Sequence, residues 1–152
     1  MSTVNSTVDV EVDVSTAYNQ WTQFESFPSF MDGVESITQQ GPTHTHWVVK
    51  VAGVRREFDT EIIEQTADRV IAWRSTAGDT DGHTGRVTFE PLGPDATRVD
   101  IELGWQPDGL VEKAGAALGF DQRQVDSSAR DFKKFIESRG GQETGAWRDD
   151  VR

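Results

Sequence analysis

The amino-acid sequence predicts an α+β fold: a curved antiparallel sheet wrapped around a long C-terminal helix, with two short helices after the first strand. Two observations predict it. Apolar and polar residues alternate with period two through a series of segments separated by turns of hairpin length, and a single apolar stripe of helical spacing follows the last of them. Short turns make consecutive strands antiparallel neighbours, and the long helix supplies the cover that one face of such a sheet needs.

Length and composition favour a single domain in the cytoplasm. The chain has 152 residues and no cysteine, so it fits one domain and has neither a disulfide framework nor thiolate metal ligands. The first residues lack the basic start and apolar run of a signal peptide, and no segment approaches the ~18–20 apolar residues of a membrane span. The net charge of −11 opposes nucleic-acid binding. We therefore expect a cytoplasmic protein without integral membrane association.

The first strand is predicted from valines that alternate with acidic residues, at Val8, Val10, Val12 and Val14. Ser15 is the predicted N-cap of the first short helix, because its hydroxyl can accept a hydrogen bond from a free amide of the first turn. The apolar residues of this helix recur at helical spacing, at Ala17, Tyr18, Trp21 and Phe24. Pro28 interrupts the pattern and is the predicted start of a second short helix, which ends at Gly33.

The strands that follow are predicted from alternation, with Val34 and Ile37 on the inward face of the first of them. The remaining inward positions are Trp47, Val49 and Val51; Arg56, Phe58, Thr60 and Ile62; Ile71, Trp73 and Ser75; Val87 and Phe89; and Val99, Ile101, Leu103 and Trp105. Polar or Gly/Pro-rich segments such as QQGPT, VAG, TADR, GDTDG and LGPDAT separate these strands and predict their turns.

Two helical segments are predicted after the last strand. Asp108 can cap the first, which carries Leu110, Ala114 and Leu118 and is weakened at Gly119. A capping box at Asp121 and Gln124 opens the long helix, whose apolar stripe is Val125, Ala129, Phe132 and Ile136. This helix ends at Gly140–Gly141, so residues 1–141 form the predicted domain and residues 142–152 a flexible tail.

The order of elements and several motifs resemble the START-like, helix-grip (SRPBCC) superfamily. The motifs are W-x-x-F-E-x-F-P-x-F-M-x-G-V-x-x-I at residues 21–37, GVRREFDTEI at 53–62, AWRS at 72–75 and GLVEKAGAALG at 109–119. They are most similar to the bacterial polyketide cyclase/dehydrase and coenzyme-Q-binding-like branch. The resemblance covers residues 7–141 and implies a single START-like ligand-binding domain. Members range from lipid carriers to aromatase/cyclases, so it implies a fold and a pocket but transfers no catalytic residue.

The resemblance also locates the pocket, with the two short helices at its mouth and Phe24, Phe27, Phe30 and Met31 closing one end. Pockets for small molecules are mostly apolar with a few convergent polar groups. The residues expected to bind ligand are Phe30, Met31, Trp47, Arg56, Phe58, Trp73, Ser75, Trp105 and Leu118. For the aromatic residues the alternative is simple core packing. For Arg56 it is an outward guanidinium near the end of a strand.

Other chemical patterns in the sequence are incomplete. His44 and His46 share one face of a strand, a spacing that can bind metal, but no third ligand is near in sequence. Asp79, Asp81 and Gly82 resemble the start of a calcium loop without its flanking helices, so they indicate a turn. His83 has no nucleophile elbow or acid partner nearby in sequence. We therefore assign no metal site, no cofactor and no catalytic residue.

Two main hypotheses about function follow from the sequence, and a third remains open. The first is a non-catalytic binder or carrier of a hydrophobic small molecule, such as a lipid, a quinone or a polyketide-like aromatic compound. The second is a cyclase or dehydratase that moves protons with Arg56, Ser75 or His83, each of which would have to reach the substrate. The third is an interaction module without ligand. The missing acid–base constellation favours the binder, whose partner is a hydrophobic small molecule rather than a nucleic acid.

Overall fold

The computed structural model describes residues 2–31, 34–41, 43–51, 54–76, 83–105 and 122–138. The elements follow in chain order as β1 (Ser2–Val10), α1 (Val14–Trp21), a 3-10 helix (Phe24–Ser29), β2 (Val34–Gln39), β3 (His44–Val51), β4 (Val54–Thr66), β5 (Val70–Ser75), β6 (His83–Gly93), β7 (Ala96–Trp105) and α2 (Gln122–Ser138). The predicted helix-grip fold, with its curled antiparallel sheet and long helix, is confirmed.

The sheet has seven strands in the order β1-β7-β6-β5-β4-β3-β2, and every neighbouring pair is antiparallel. Strands β2 to β7 form the predicted meander, and β1 pairs with β7 at its far side. Register shifts interrupt the β2–β3, β4–β5 and β6–β7 ladders. Such irregularities bend strands and increase their twist, so they help the sheet to curl.

The first strand differs from its prediction at both ends. It begins at Ser2 and ends at Val10, so the expectation that Val12 and Val14 belong to it was wrong. Asp13 is the N-cap of α1, and its carboxylate accepts a hydrogen bond from the Thr16 amide at 3.3 Å. The predicted cap, Ser15, instead donates to Asp68 Oδ2 at 3.0 Å. A carboxylate that stabilises the first turn outweighs the valine alternation at this point.

The second short helix also begins earlier than predicted. It is a 3-10 helix over Phe24–Ser29 with Pro28 inside it, so the expectation that Pro28 starts the helix was wrong. A short 3-10 helix needs few amide donors, which makes a proline near its end acceptable. Further along, Val34 and Ile37 are both buried, as predicted, although they are three residues apart. The register shift between Val34 and Ser36 accounts for this spacing, because an extra residue reverses the alternation.

Helix α2 carries the predicted apolar stripe, and it packs against β1 and β7. The four stripe residues are all buried: Val125, Ala129, Phe132 and Ile136. Two charged side chains tie the helix to the end of β1. Lys133 Nζ donates to the Asp9 carbonyl at 2.9 Å, and the Glu11 amide donates to the Glu137 carboxylate at 2.8 Å. Burial raises the pKa of Glu137, but the hydrogen bonds from Lys133 and the Glu11 amide outweigh it, so this pKa is lowered overall.

Several expectations fall on residues outside the described ranges. These are the helix from Asp108 to Leu118, the break at Gly119, the capping residue Asp121, the calcium-like turn at Asp79–Gly82, the end at Gly140–Gly141 and the tail at 142–152. Among the described helices, none is long and apolar enough to cross a membrane.

A glycine of β6 lies directly beneath the ring of Trp73. Gly85 pairs with Trp73 on β5 and with Leu103 on β7. A Cβ atom at Gly85 would lie 2.2 Å from two ring carbons of Trp73. Trp73 is fully buried, and its ring contacts Phe24 at a centroid distance of 5.3 Å. The flat contact between the indole and the glycine backbone therefore fixes the height of this ring above the sheet.

The outer sheet face carries the two histidines considered as metal ligands. His46 Nδ1 lies 2.7 Å from Asp59 and its Nε2 3.1 Å from Glu57, while His44 lies 3.9 Å from Glu61. Hydrogen bonds to Asp59 and Glu57 raise the pKa of His46 above 6.5. Only the protonated ring can donate from both nitrogens, so the two carboxylates favour the imidazolium. No group of three or more candidate metal ligands occurs in the part of the chain that the structure describes.

Replacing Gly85 by alanine should destabilise the fold by about 1–3 kcal/mol, the usual cost of overpacking a core. The added methyl group must push the Trp73 ring out of a site with no free space. Urea unfolding measures the difference. Gly93→Ala is the matched control, because a Cβ there meets nothing within 4 Å. Gly85→Ala should cost less in a Trp73→Leu background than in the wild-type protein, and equal destabilisation by the two alanine variants would contradict this packing.

The ion pairs of His46 should stabilise the fold at acidic pH but not at alkaline pH. Because the folded-state pKa is raised, the contribution is fully present below pH 6.5 and is lost as the pH rises through the raised pKa. His46→Gln should therefore cost about 0.2–1 kcal/mol at pH 6, the range for exposed pairs, and little at pH 9. Urea unfolding at both pH values measures this, and a pH-independent cost would refute it.

Candidate ligand-binding site

A connected network of aromatic rings fills the interior beside α2. Its members come from α1, the 3-10 helix and the residue after it, three strands and α2: Trp21, Phe24, Phe27, Phe30, Trp47, Phe58, Trp73, Phe132 and Phe135. Phe27 touches the rings of Trp21, Trp47 and Trp73 at centroid distances of 5.0, 5.8 and 6.1 Å. The network therefore joins the inner face of β3, β4 and β5 to the helices.

The structure brings five of the expected ligand-binding residues into this interior. Trp47 and Trp73 are fully buried, and Phe30, Met31 and Phe58 are at most 6% exposed. Phe30 contacts α2 through Phe132 and Phe135, both at 5.3 Å. These side chains pack against one another and against other rings of the network, as the core-packing alternative also expects.

Of the other four expected ligand-binding residues, the structure describes the side chain of Ser75 alone. Ser75 is half-buried at the end of β5, and its register partner is Thr60. Arg56 lies on β4 opposite Val49, and Trp105 on β7 opposite His83, but the side chains of Arg56 and Trp105 are outside the described part of the structure. Leu118 lies outside the described residues altogether.

The buried polar side chains of the described residues are all neutral. They are Thr16, Asn19, Gln20, Thr22, Thr45, Thr60, Gln65, Thr97 and Ser128. The ion pairs involve half-buried or exposed side chains, and those of the sheet occupy its outer face, such as Arg98 with Asp9 at 3.0 Å and Arg86 with Glu64 at 2.9 Å. The described interior thus offers hydrogen bonds but no carboxylate, imidazole or amine to transfer a proton.

One interior hydrogen-bonding group escaped the sequence analysis. Thr45 and Thr60 are register partners on β3 and β4, both fully buried, with hydroxyl oxygens 2.6 Å apart. The indole N–H of Trp47 donates to both, at 2.9 and 3.0 Å. Alternation places Thr60 inward, and the same parity as Trp47 places Thr45 inward too. That Thr45 lies opposite Thr60 depends on cross-strand register, which is not readable from one sequence.

Two surface depressions are lined by described residues. One, of about 720 Å³, lies between Ser29 at the end of the 3-10 helix and α2, where Phe135 is half-buried on the network's outer side. The other, of about 690 Å³, lies on the outer sheet face with mostly charged and threonine side chains around it. The depression between Ser29 and α2 is the one that borders the aromatic network, because Phe135 in its lining contacts Phe30.

Comparison with solved structures shows the same fold in proteins of low sequence identity. A START superfamily protein from Mycobacterium smegmatis matches with a TM-score of 0.73 and 18% identity, over 90% of this chain and 98% of the other. The Zhui aromatase/cyclase from Streptomyces sp. R1128 matches with a TM-score of 0.72 and 16% identity, over 91% and 95% of the two chains. At such identity the likeness concerns the fold alone.

Comparison at the level of sequence is more specific. An uncharacterised 17.2 kDa protein in the melC2-rnhH intergenic region of Streptomyces lincolnensis is 51% identical over 148 residues, which cover 97% of each chain. The family model described as polyketide cyclase / dehydrase and lipid transport matches residues 10–134, from the end of β1 into α2. The match covers most of the chain, and solved structures of related proteins have the same fold. The protein therefore belongs to the polyketide cyclase / dehydrase and lipid transport family.

Proposed function

We propose that the protein binds a hydrophobic small molecule, such as a lipid, a quinone or a polyketide-like aromatic compound, between the inner sheet face and α2, and that it releases this molecule chemically unchanged. The observation that carries the proposal is an interior rich in aromatic rings whose described polar groups are all neutral. Family membership supports a small-molecule role, since the family description includes both lipid transport and cyclisation.

The aromatic network suits a flat or chain-like apolar ligand. Ring faces and edges give large contact areas, and few side-chain torsions have to be fixed when a ligand binds. The depression at Ser29 and Phe135 supports an entry beside the 3-10 helix, because Phe30 lies directly beneath Phe135. A six-residue 3-10 helix has weak hydrogen-bond geometry, so it is suited to moving aside.

The neutral interior favours a binder over a cyclase or dehydratase. Those reactions need a group that takes up or gives a proton near neutral pH, and threonine, serine and amide side chains do neither. Ser75, the one expected proton-transfer residue whose side chain is described, is half-buried at the end of β5.

Binding is testable with the neutral probe N-phenyl-1-naphthylamine. We expect probe emission to rise and tryptophan emission to fall on titration, because Trp47 and Trp73 would lie next to the bound probe. Ala129→Leu adds volume to the inward face of α2 and should weaken binding at least tenfold. Arg130→Leu adds an apolar side chain at the adjacent exposed position and serves as the matched control. Equal binding by all three proteins would contradict an interior site.

The absence of chemistry is testable with the natural ligand. Native mass spectrometry of freshly purified protein should show a bound small molecule, which is then extracted and identified. Incubating purified protein with this compound for many hours should return it unchanged by mass and chromatography. A dehydrated or ring-closed product would overturn the carrier proposal in favour of the cyclase. Ligand-free protein that also fails to bind the naphthylamine probe would leave only the interaction module.

A further inference from the structure

The Thr45–Thr60 hydroxyl pair and the Trp47 indole form the one hydrogen-bonded polar group among the aromatic rings that the structure describes. Both threonines are fully buried, and the next register partner in the same row is Ser75, at the half-buried end of β5. The row of hydroxyls therefore crosses three strands and leads from the interior towards the surface. Most of its neighbours on the inner face are aromatic: Trp47, Phe58 and Trp73.

The hydrogen bonds within this group use only two of its three protons. The indole contributes one N–H and the two threonines contribute two O–H groups. The indole proton is shared between the two hydroxyl oxygens, and one hydroxyl proton lies in the 2.6 Å contact that joins them. The second hydroxyl proton has no acceptor among the described residues. Buried polar groups are normally satisfied, so an unused donor in this position points to an absent acceptor.

A second unused donor belongs to Trp21, whose ring contacts the same Phe27 ring as Trp47 does. The indole Nε1 of Trp21 is buried and has no hydrogen-bond partner in the described structure. Phe27 contacts Trp21 at 5.0 Å and Trp47 at 5.8 Å, so one phenyl ring touches both indoles.

We propose that the Thr45–Thr60 pair donates a hydrogen bond to a carbonyl-type oxygen of the bound molecule, with the ligand displacing the Phe27 ring. This inference rests on the proposed function and narrows its ligand class. The described interior has donors left over, so it complements an apolar molecule that bears acceptor oxygens. A hydrocarbon of the same shape leaves both donors unsatisfied. The pair is neutral and positions the ligand without transferring a proton.

The test compares 9-fluorenone with fluorene, two flat ligands that differ by one carbonyl oxygen. Wild-type protein should prefer fluorenone, and the double variant Thr45→Val/Thr60→Val should reduce this preference about three- to tenfold, the factor that one neutral hydrogen bond gives. Comparing the ratio between proteins cancels the different water solubilities of the probes. Either single variant should keep the preference, because the remaining hydroxyl still has a proton to donate.

Thr97→Val is the matched control. Thr97 is also a fully buried threonine, but its hydroxyl donates to the Val12 carbonyl at 2.8 Å, so its loss should leave the preference unchanged. If the double variant fails to fold, the infrared carbonyl stretch of ¹³C-labelled fluorenone bound to wild-type protein decides. A stretch lowered relative to that in hexane supports the hydrogen bond, and a hexane-like stretch overturns it.

The outcomes separate this inference from the proposed function. Binding of both probes, with a preference that the double variant does not change, overturns the hydroxyl site while the hydrophobic site stands. Failure of both probes to bind overturns both. Loss of the preference only in the double variant, together with a lowered carbonyl stretch in wild-type protein, establishes the site.

Discussion

A single helix is too narrow to cover the inner face of this sheet, and the rest of the structure follows from that constraint. A helix is about 10–12 Å wide with its side chains. Seven strands about 4.8 Å apart span about 29 Å. Helix α2 lies against β1 and β7, α1 against β6 and β7, and the 3-10 helix against β2. Over the middle strands, the described cover consists of large aromatic side chains rather than of backbone.

That arrangement explains why the candidate site and the core are made of the same residues. Side chains that cover a sheet can rotate away and be replaced by another apolar body, whereas a helix that covers it has to move as a unit. Phe27 shows this, since its ring holds contacts with Trp21, Trp47 and Trp73 that a flat ligand could take over. In the proposed role, the neutral hydroxyls of Thr45 and Thr60 would orient the ligand, and their chemistry suits binding better than turnover.

Much of this was readable from the sequence where the hydrophobic pattern is regular. Alternation placed Trp47, Phe58 and Trp73 on one face, and the spacing of four, three and four residues identified the buried stripe of α2. Prediction failed where a local interaction competes with the pattern. Asp13 caps α1 and so removes Val12 and Val14 from the strand.

The hydroxyl pair was missed for a different reason. It depends on Thr45 lying opposite Thr60, and register is a property of two strands together rather than of either segment. The sequence placed Trp73 on the inner face of the sheet. It could not show that the Trp73 ring packs on Gly85, because that contact depends on the pairing of β5 with β6. Alternation shows which face of the sheet a residue lies on. The residue opposite it on the neighbouring strand is set by the turns and bulges of the whole meander.

The charged contacts at the C-terminal end of α2 decide which element stays in place beside the depression at Ser29. Lys133 and Glu137 both bind backbone atoms, the Asp9 carbonyl and the Glu11 amide, and they also bind each other at 2.7 Å. These contacts hold the C-terminal half of α2 against the residues that follow β1. The depression at Ser29 borders the same half of the helix. A ligand entering there would therefore displace the 3-10 helix, with α2 as the fixed frame against which that short segment moves.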